Sequence, residues 1–548
     1  MIRSYLLLGA FVLAAQIGFS VNDCEEFSPL ALGEFDAVNI DTPGTRYLSQ
    51  VFSGADVQSD VAYGNNISIL TGTPEVQELV MDVYMPPAED TVSNRPVWVV
   101  LHTGTFIPKF FNRSTGGSKT DSTVVQVCTR LAKMGYVAVA ATYRAGWLAT
   151  SPDNDLRLGT LLQAAYRGAQ DTRTCIRYLR KSVEEDENPF GIDGSKVGVW
   201  GIGTGGYLSY SAAALDEYPE VLLDKFLSST TNTPLADTAL LGNFDGTSAG
   251  QIGLPNHAGY SSDFDIAVNL GGAIGDSSWL QGKEIEPAIV GFHATGDIFA
   301  PYAVENVFEP VQDLLVIDQG AGARIMVEKA NQLGNNDVFA DIPADCDPLA
   351  DKIQSFKDVD HITTLSQQML KMGTDNFYPF VTSPGDGEPW NWWGFEDLQA
   401  NIAGINAVLG TDFNADTLHA TGLMTNPTMS SERGNTYLDT IFMVVAPRAY
   451  YAMGLADSVS TSIPLLTETE VQLQVSPVPS NGRLELRSSV ESPMQHLRIL
   501  DINGVAVAQK LNVNATTYTL THHDLPPGIY VLDVYFKTGR VAKKVVFR

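Results

Sequence analysis

Charge, cysteine and long apolar runs are all scarce in this chain. Charged side chains make up 18% of its 548 residues, below the roughly 25% of an average soluble chain, so a charge-swollen disordered polymer is excluded. The four cysteines, Cys24, Cys128, Cys175 and Cys346, show no C-x-x-C spacing. That removes a thiolate zinc site and a disulfide scaffold and leaves room for one bridge. There is no D-x-D-x-D-G run of the kind an EF-hand uses for calcium. Beyond the N-terminus no stretch reaches the roughly 18 uncharged apolar residues of a membrane span. The 48 glycines and 28 prolines never become periodic, which excludes collagen and coiled coil. No metal and no cofactor is signalled.

What the chain has in excess is acid: 63 Asp and Glu against 34 Lys and Arg, a net charge of −29. That sign repels phosphate backbones and anionic lipid, so no nucleic-acid partner is expected. The excess is uneven, since residues 471–548 hold nine Lys/Arg and only five Asp/Glu. Such a break suggests two modules, although an acidic body that merely aids solubility explains it as well. At the other end, Arg3, the apolar run Tyr5 to Ala15 and the small residues Gly18 and Ser20 form a secretory signal peptide over residues 1–20.

From about Asp36 to Ala300, strand-like runs alternate with helix-like segments, the pattern of a mainly parallel sheet covered on both faces. The predicted strands are Leu79 to Tyr84, Val97 to Leu101, Tyr136 to Thr142, Val197 to Trp200, Ile266 to Leu270 and Ala288 to His293. Helical spacing runs through Ser122 to Met134 and Gly168 to Val183. Residues 305–460 break this rhythm with helices expected at Arg324 to Leu333, Thr363 to Met372 and Leu398 to Leu409. They read as a lid-like insertion around a last core strand and helix. The α/β domain is therefore expected over residues 21–470. Beyond Val471, short alternating strands (Leu484 to Arg487, Leu497 to Asp501, Ile529 to Tyr535, Val541 to Phe547) make a small β-sandwich over 471–548.

The segments Leu79-Val-Met-Asp-Val-Tyr-Met-Pro-Pro87 and Arg95-Pro-Val-Trp-Val-Val-Leu-His-Thr-Gly-Thr-Phe106 resemble the opening of the carboxylesterase and feruloyl/acetyl-xylan esterase branch of the α/β-hydrolase fold. So do Gln170-Asp-Thr-Arg-Thr-Cys-Ile-Arg-Tyr-Leu-Arg180 and Phe190-Gly-Ile-Asp-Gly-Ser-Lys-Val-Gly-Val-Trp-Gly-Ile-Gly-Thr-Gly-Gly206. In that branch the loop after the strand reads His-Gly-Gly-Gly and a backbone N–H there holds the oxyanion, whereas His102-Thr103-Gly104-Thr105 keeps one glycine of three. The resemblance implies oxyanion-binding roles for Gly104, Thr105 and Thr204. The family's G-x-S-x-G elbow is present as Gly201, Gly203 and Gly205, so Gly203 stands in the serine's place. Glycine supplies no nucleophile and relieves the strain of the turn.

Within Glu286-Pro-Ala-Ile-Val-Gly-Phe-His-Ala-Thr-Gly-Asp297, the aspartate Asp297 matches the carboxylate that orients the catalytic histidine. It reads equally well as a cap on its own turn. Chain order then asks for a histidine after the acid, and His361 and His419 are the two candidates before the terminal module. Each also reads as a solvated surface histidine. Glu388-Pro-Trp-Asn-Trp-Trp-Gly-Phe395 packs four aromatics into eight residues, which fits a sugar- or aryl-gripping cleft or, more often, the core of a docked lid. Cys128 and Cys175 fall on helices of opposite sheet faces and are not expected to bond; Cys24 and Cys346 are the pair that could.

Ser476-Pro-Val-Pro-Ser-Asn-Gly482, Ile499-Leu-Asp-Ile-Asn-Gly504, Leu525-Pro-Pro-Gly-Ile-Tyr530 and Gly539-Arg-Val-Ala-Lys-Lys-Val-Val546 resemble the C-terminal sorting domain of proteins exported by the type IX secretion system of Bacteroidetes. The resemblance implies a secreted or cell-surface protein that meets the outer-membrane secretion machinery through residues 471–548, which are then removed. An ordinary carbohydrate-binding or adhesion sandwich is the alternative. For the body, two functions stay open. One is a carboxylesterase-like hydrolase acting on a small ester or a carbohydrate-linked ester; the other is a catalytically silent hydrolase fold used for extracellular binding.

Overall fold

The computed structural model describes residues 46–548 apart from 283–285, 310–313, 366–368, 459–465, 481–482, 501–505, 511–512, 522–524 and 538. The expected signal peptide over residues 1–20 and Cys24 lie outside the described residues. Chain contacts separate a body that ends at Ser458 from a C-terminal unit.

The body is built on β1 (Asp56–Ser68), β2 (Glu75–Met85), β3 (Arg95–Leu101), α1 (Ser122–Lys133), β4 (Val137–Ala141), α2 (Asn154–Glu185), β5 (Ile192–Ile202) and α3 (Thr204–Ala214). There follow a one-turn α4 (Thr238–Leu241), β6 (Ile266–Leu270), a short β7 (Ala273–Ile274) and β8 (Ala288–Ala294). The eight-stranded sheet runs β1-β2-β4-β3-β5-β6-β8 and is completed by a later strand, Phe377–Phe380. β2 is antiparallel to both of its neighbours, and every pairing from β4 onward is parallel. This is the strand order of an α/β hydrolase, so the expected fold class holds. The central strands are buried over most of their length: Val97, Val99 and Leu101 of β3 and Val197 and Val199 of β5 all have no exposure. Sheets covered by helices on both faces demand such continuous apolar runs, and that is why these segments were legible.

Helix α2 begins fourteen residues before the stretch whose spacing predicts it, capped by the Asp153 side chain, which accepts from Leu156 N at 3.0 Å. Its buried arginines obscure the period. Arg173 donates to the carbonyls of Ala212 and Phe244, and Arg177 to that of Asn256. In this way the helix fixes the irregular covering segment between α3 and β6. Gly168 lies where α2 and α3 cross, and a Cβ there would stand 2.6 Å from Leu208.

The insertion opens with β9 (Val304–Glu309) and β10 (Leu314–Gly322), where β10 pairs with both β9 and β7, followed by α5 (Ala323–Leu333) and α6 (Ala350–Phe356). The helix expected over Thr363 to Met372 does not form. β11 (Asp360–Ile362) and β12 (Met369–Lys371) make a two-stranded ribbon instead. The β-branched run Ile362-Thr363-Thr364 disfavours a helix and suits an extended chain. β13 (Phe377–Phe380) closes the main sheet beside β8. α7 (Phe395–Leu409) and α8 (Ala415–Thr425) form a helical hairpin before the long α9 (Ser431–Ala452).

The C-terminal unit has antiparallel sheets β14-β15-β18 and β17-β16-β19-β20, made of β14 (Gln474–Ser476), β15 (Arg483–Arg487), β16 (Met494–Leu500), β17 (Ala506–Lys510), β18 (Thr517–Thr521), β19 (Gly528–Phe536) and β20 (Gly539–Phe547). Alternate residues of both sheets, among them Leu484, Leu486, Leu497, Ile499, Leu532 and Val545, share one apolar core, which makes the unit a β-sandwich. Cys128 and Cys175 are buried free thiols, and Cys346 is disulfide-bonded.

Candidate active site

Three loops meet at the C-terminal ends of the central strands, the usual place for a site in an open α/β sheet. The first is the turn from β5 into α3. Gly203 adopts φ 53° and ψ −112°, a left-handed conformation that glycine takes without strain. The flanking glycines are required by close approach, because a Cβ on Gly201 would lie 2.0 Å from the Gly205 carbonyl oxygen and one on Gly205 would lie 2.2 Å from that of Leu101. The turn's backbone is thus fixed by these approaches, with glycine at its centre.

The second loop follows β3. His102 stacks on Tyr143, and burial keeps the imidazole neutral by lowering its pKa; its Nδ1 lies 2.5 Å from the Thr103 carbonyl. Thr105 and Phe106 both have φ of 55°, a conformation that costs a non-glycine residue about 1–3 kcal/mol and needs over-determining contacts. Those are present. Thr105 N–H donates to Thr204 Oγ1 at 2.6 Å, and the Thr105 carbonyl accepts from Trp147 Nε1 at 2.7 Å. The Thr105 amide, expected to serve an oxyanion, is therefore engaged by Thr204. Gly104, with φ 133°, packs its α-carbon against Gly117. Most telling is Thr103: a Cβ on Gly203 would stand 2.3 Å from Thr103 Oγ1. The threonine hydroxyl occupies the volume that a serine side chain on the elbow would take.

The third loop, residues 381–394, leaves β13 and brings Glu388 to the same point. Glu388 Oε1 lies 3.3 Å from the Cβ position of Gly203 and accepts from Thr103 Oγ1 at 3.4 Å, while Oε2 accepts from Asn391 Nδ2 at 2.7 Å. The loop is held from several sides. Thr123 Oγ1 donates to the Trp390 carbonyl and to Asn391 Oδ1, Asn426 Nδ2 donates to the carbonyls of Glu388 and Asn391, and Arg433 of α9 reaches both Asn426 and Asp386. Trp390 is fully buried, Trp392 packs on Gly434, and Trp393 packs on Gly422 and donates its Nε1–H to His419. The aromatic cluster is used for docking this loop onto α8 and α9.

Asp297 follows β8. Its Oδ1 accepts from the N–H groups of Phe299 and Ala300 at 2.7 and 3.1 Å, so it does cap its turn. Its Oδ2 lies 3.5 Å from Nε2 of the fully buried His293. Burial pushes the Asp297 carboxyl up to about 7, and the neighbouring carboxylates of Glu388 and Glu305 push the same way. Burial also raises Glu388, and lowers His293 to about 4, so that imidazole is neutral.

The structure therefore brings Gly203, Thr204, Gly104, Thr105 and Asp297 together, and it places the two candidate histidines elsewhere. His361 sits on the β11–β12 ribbon opposite Leu370, and His419 lies on α8 against Trp393 and Phe395. Neither is among the side-chain partners of Asp297. Thr103, Glu388 and His293 are the groups that sequence reasoning did not single out as reactive. Two signals pointed to Glu388: it follows the last core strand, where this fold presents its base, and it heads the aromatic segment. A search confined to histidine passes over it. Among the described residues no three His, Cys, Asp or Glu side chains converge to hold a metal ion, and no helix is long and apolar enough to cross a membrane.

Residues 474–548 match the secretion system C-terminal sorting domain family, so the chain carries an address for type IX export to the cell surface or beyond. No curated protein matches the chain. Among solved structures it is similar to Thermogutta terrifontis esterase 2 phosphorylated by paraoxon, at 18% identity over 46% of this chain and 74% of that one, with a TM-score of 0.27. It is also similar to a truncated carbohydrate esterase from gut microbiota, at 17% identity over 46% of this chain and 80% of that one, with a TM-score of 0.27.

Proposed function

We propose that this chain is an exported hydrolase of carboxylic esters, small or carbohydrate-linked, whose general base is Glu388 in place of a histidine. The observation that carries this reading is the position of Glu388: its carboxylate faces the elbow from the loop after the last core strand, with Asp297 behind it. A carboxylate whose pKa is raised by desolvation is a stronger base than an ordinary one, and a second carboxyl that holds its proton near neutrality leaves the first free to ionise. Glu388 is only half-buried, which gives it access to solvent and substrate.

The test is turnover of p-nitrophenyl acetate and of an acetylated xylo-oligosaccharide by the exported protein and its Glu388→Gln variant. Wild-type turnover is expected, with the variant slower by about 10²-fold or more. A second reading, a silent hydrolase fold used for binding, is favoured by the burial of Gly203 and by the Thr105 amide being already engaged. Absence of turnover on both ester classes would establish that second reading in place of the first.

A further inference from the structure

We propose that the nucleophile of this site is the Thr103 hydroxyl, delivered from the β3 loop into the volume left by the missing elbow side chain, with Glu388 as its base and the Thr204 hydroxyl as oxyanion donor. This rests on the hydrolase reading above. Three distances support it. Thr103 Oγ1 lies 2.3 Å from the Cβ position of Gly203, Glu388 Oε1 lies 3.3 Å from the same position, and the hydroxyl donates to that carboxylate oxygen at 3.4 Å. A hydroxyl and a base standing together in front of an elbow turn are what nucleophilic acyl transfer requires, whichever strand supplies the hydroxyl. Gly203 then has a positive role, since any side chain there would displace Thr103. The Thr103 methyl is held as well, because it packs against Gly116, where a Cβ would come within 2.9 Å of it.

Thr204 supplies the remaining element. Its oxygen accepts the Thr105 N–H at 2.6 Å, so its own proton is not used in that bond and is available to a developing oxyanion. Side-chain hydroxyls can serve this purpose as backbone amides do.

The chemistry balances without any further reagent. Thr103 Oγ1 forms a bond to the ester carbonyl carbon as its proton passes to Glu388 Oε1, and the carbonyl π pair moves to the oxygen facing Thr204. That pair returns, the bond to the alcohol oxygen breaks, and the alcohol takes the proton from Glu388. Water repeats the two steps on the threonyl ester, releasing the carboxylic acid and restoring Thr103.

The experiment is fluorophosphonate labelling of the full exported chain, with the adduct located by peptide mass spectrometry beside the ester assay. The label is expected on Thr103, with its rate reduced at least hundredfold in Thr103→Val and in Glu388→Gln and retained in Thr103→Ser. Because the serine variant keeps the hydroxyl, it must carry its label at position 103 whatever the valine change does to folding. Turnover with the label on another residue, or turnover without an adduct and indifferent to Thr103→Val, overturns the Thr103 assignment and leaves the hydrolase reading standing. Neither turnover nor label in the wild type removes the hydrolase reading and this inference with it.

Discussion

The elbow at Gly201–Gly205 and the loop at residues 381–394 solve opposite problems. At the elbow the backbone is determined almost to the atom by close approach, and it offers no side chain at all. The loop has no regular structure, yet it fixes one carboxylate through bonds from Thr123, Asn391, Asn426 and Arg433. Backbone shape and reactive group are separable properties of a site. A fold can hold the first in one loop and present the second from another.

Three changes test that contrast, the most damaging first. Gly205→Ala forces a methyl to within 2.2 Å of the Leu101 carbonyl oxygen, backbone that cannot step aside, and is expected to cost more than about 4 kcal/mol. Chemical denaturation of the exported chain reads this directly, and a loss under about 1 kcal/mol would mean that the elbow is softer than its contacts imply.

Gly203→Ser is expected to cost about 1–3 kcal/mol, because its Cβ overlaps Thr103 Oγ1 and its backbone is left-handed. It should not gain esterase activity. Pairing it with Thr103→Ala should recover part of the stability, and independent, additive losses would show that the two side-chain volumes do not compete.

The last change concerns pH. Asp297 has a folded pKa of about 7, above its unfolded value near 3.9, so the folded state holds the proton more tightly. The favourable contribution is complete below about pH 4 and is lost as pH rises through about 7. Asp297→Asn should flatten melting temperature against pH across that window. It should also shift the alkaline limb of activity, which belongs to the Asp297–Glu388 pair rather than to either group. A melting profile unchanged by the substitution would place Asp297 in a wetter setting than the one described.

Much of the scaffold was legible in the sequence because its central strands must be apolar on both faces. Ile266 to Leu270 and Val97 to Leu101 are strands with the bounds, or nearly the bounds, that their composition implies. The Thr363 to Met372 segment misled because helical spacing in a short window outweighed its β-branched start. At the site, Asp297 and the elbow glycines were visible from motif order, since close packing ties their positions to neighbours in sequence. Glu388 and Thr103 were not, because what they do depends on a contact across 285 residues of chain that no local pattern records. His361 and His419 follow from residue type and chain order, and neither says where a side chain ends up.

The attachment of Asp386 and Asn426 to Arg433 has a further consequence. Because the loop is held by Asn426 and Trp393 to α8 and by Arg433 to α9, the position of Glu388 depends on both helices. The hairpin is tied to the β3 loop as well, through Phe413 against Phe110 and Phe111, so a change in its length would be felt on both sides of the elbow.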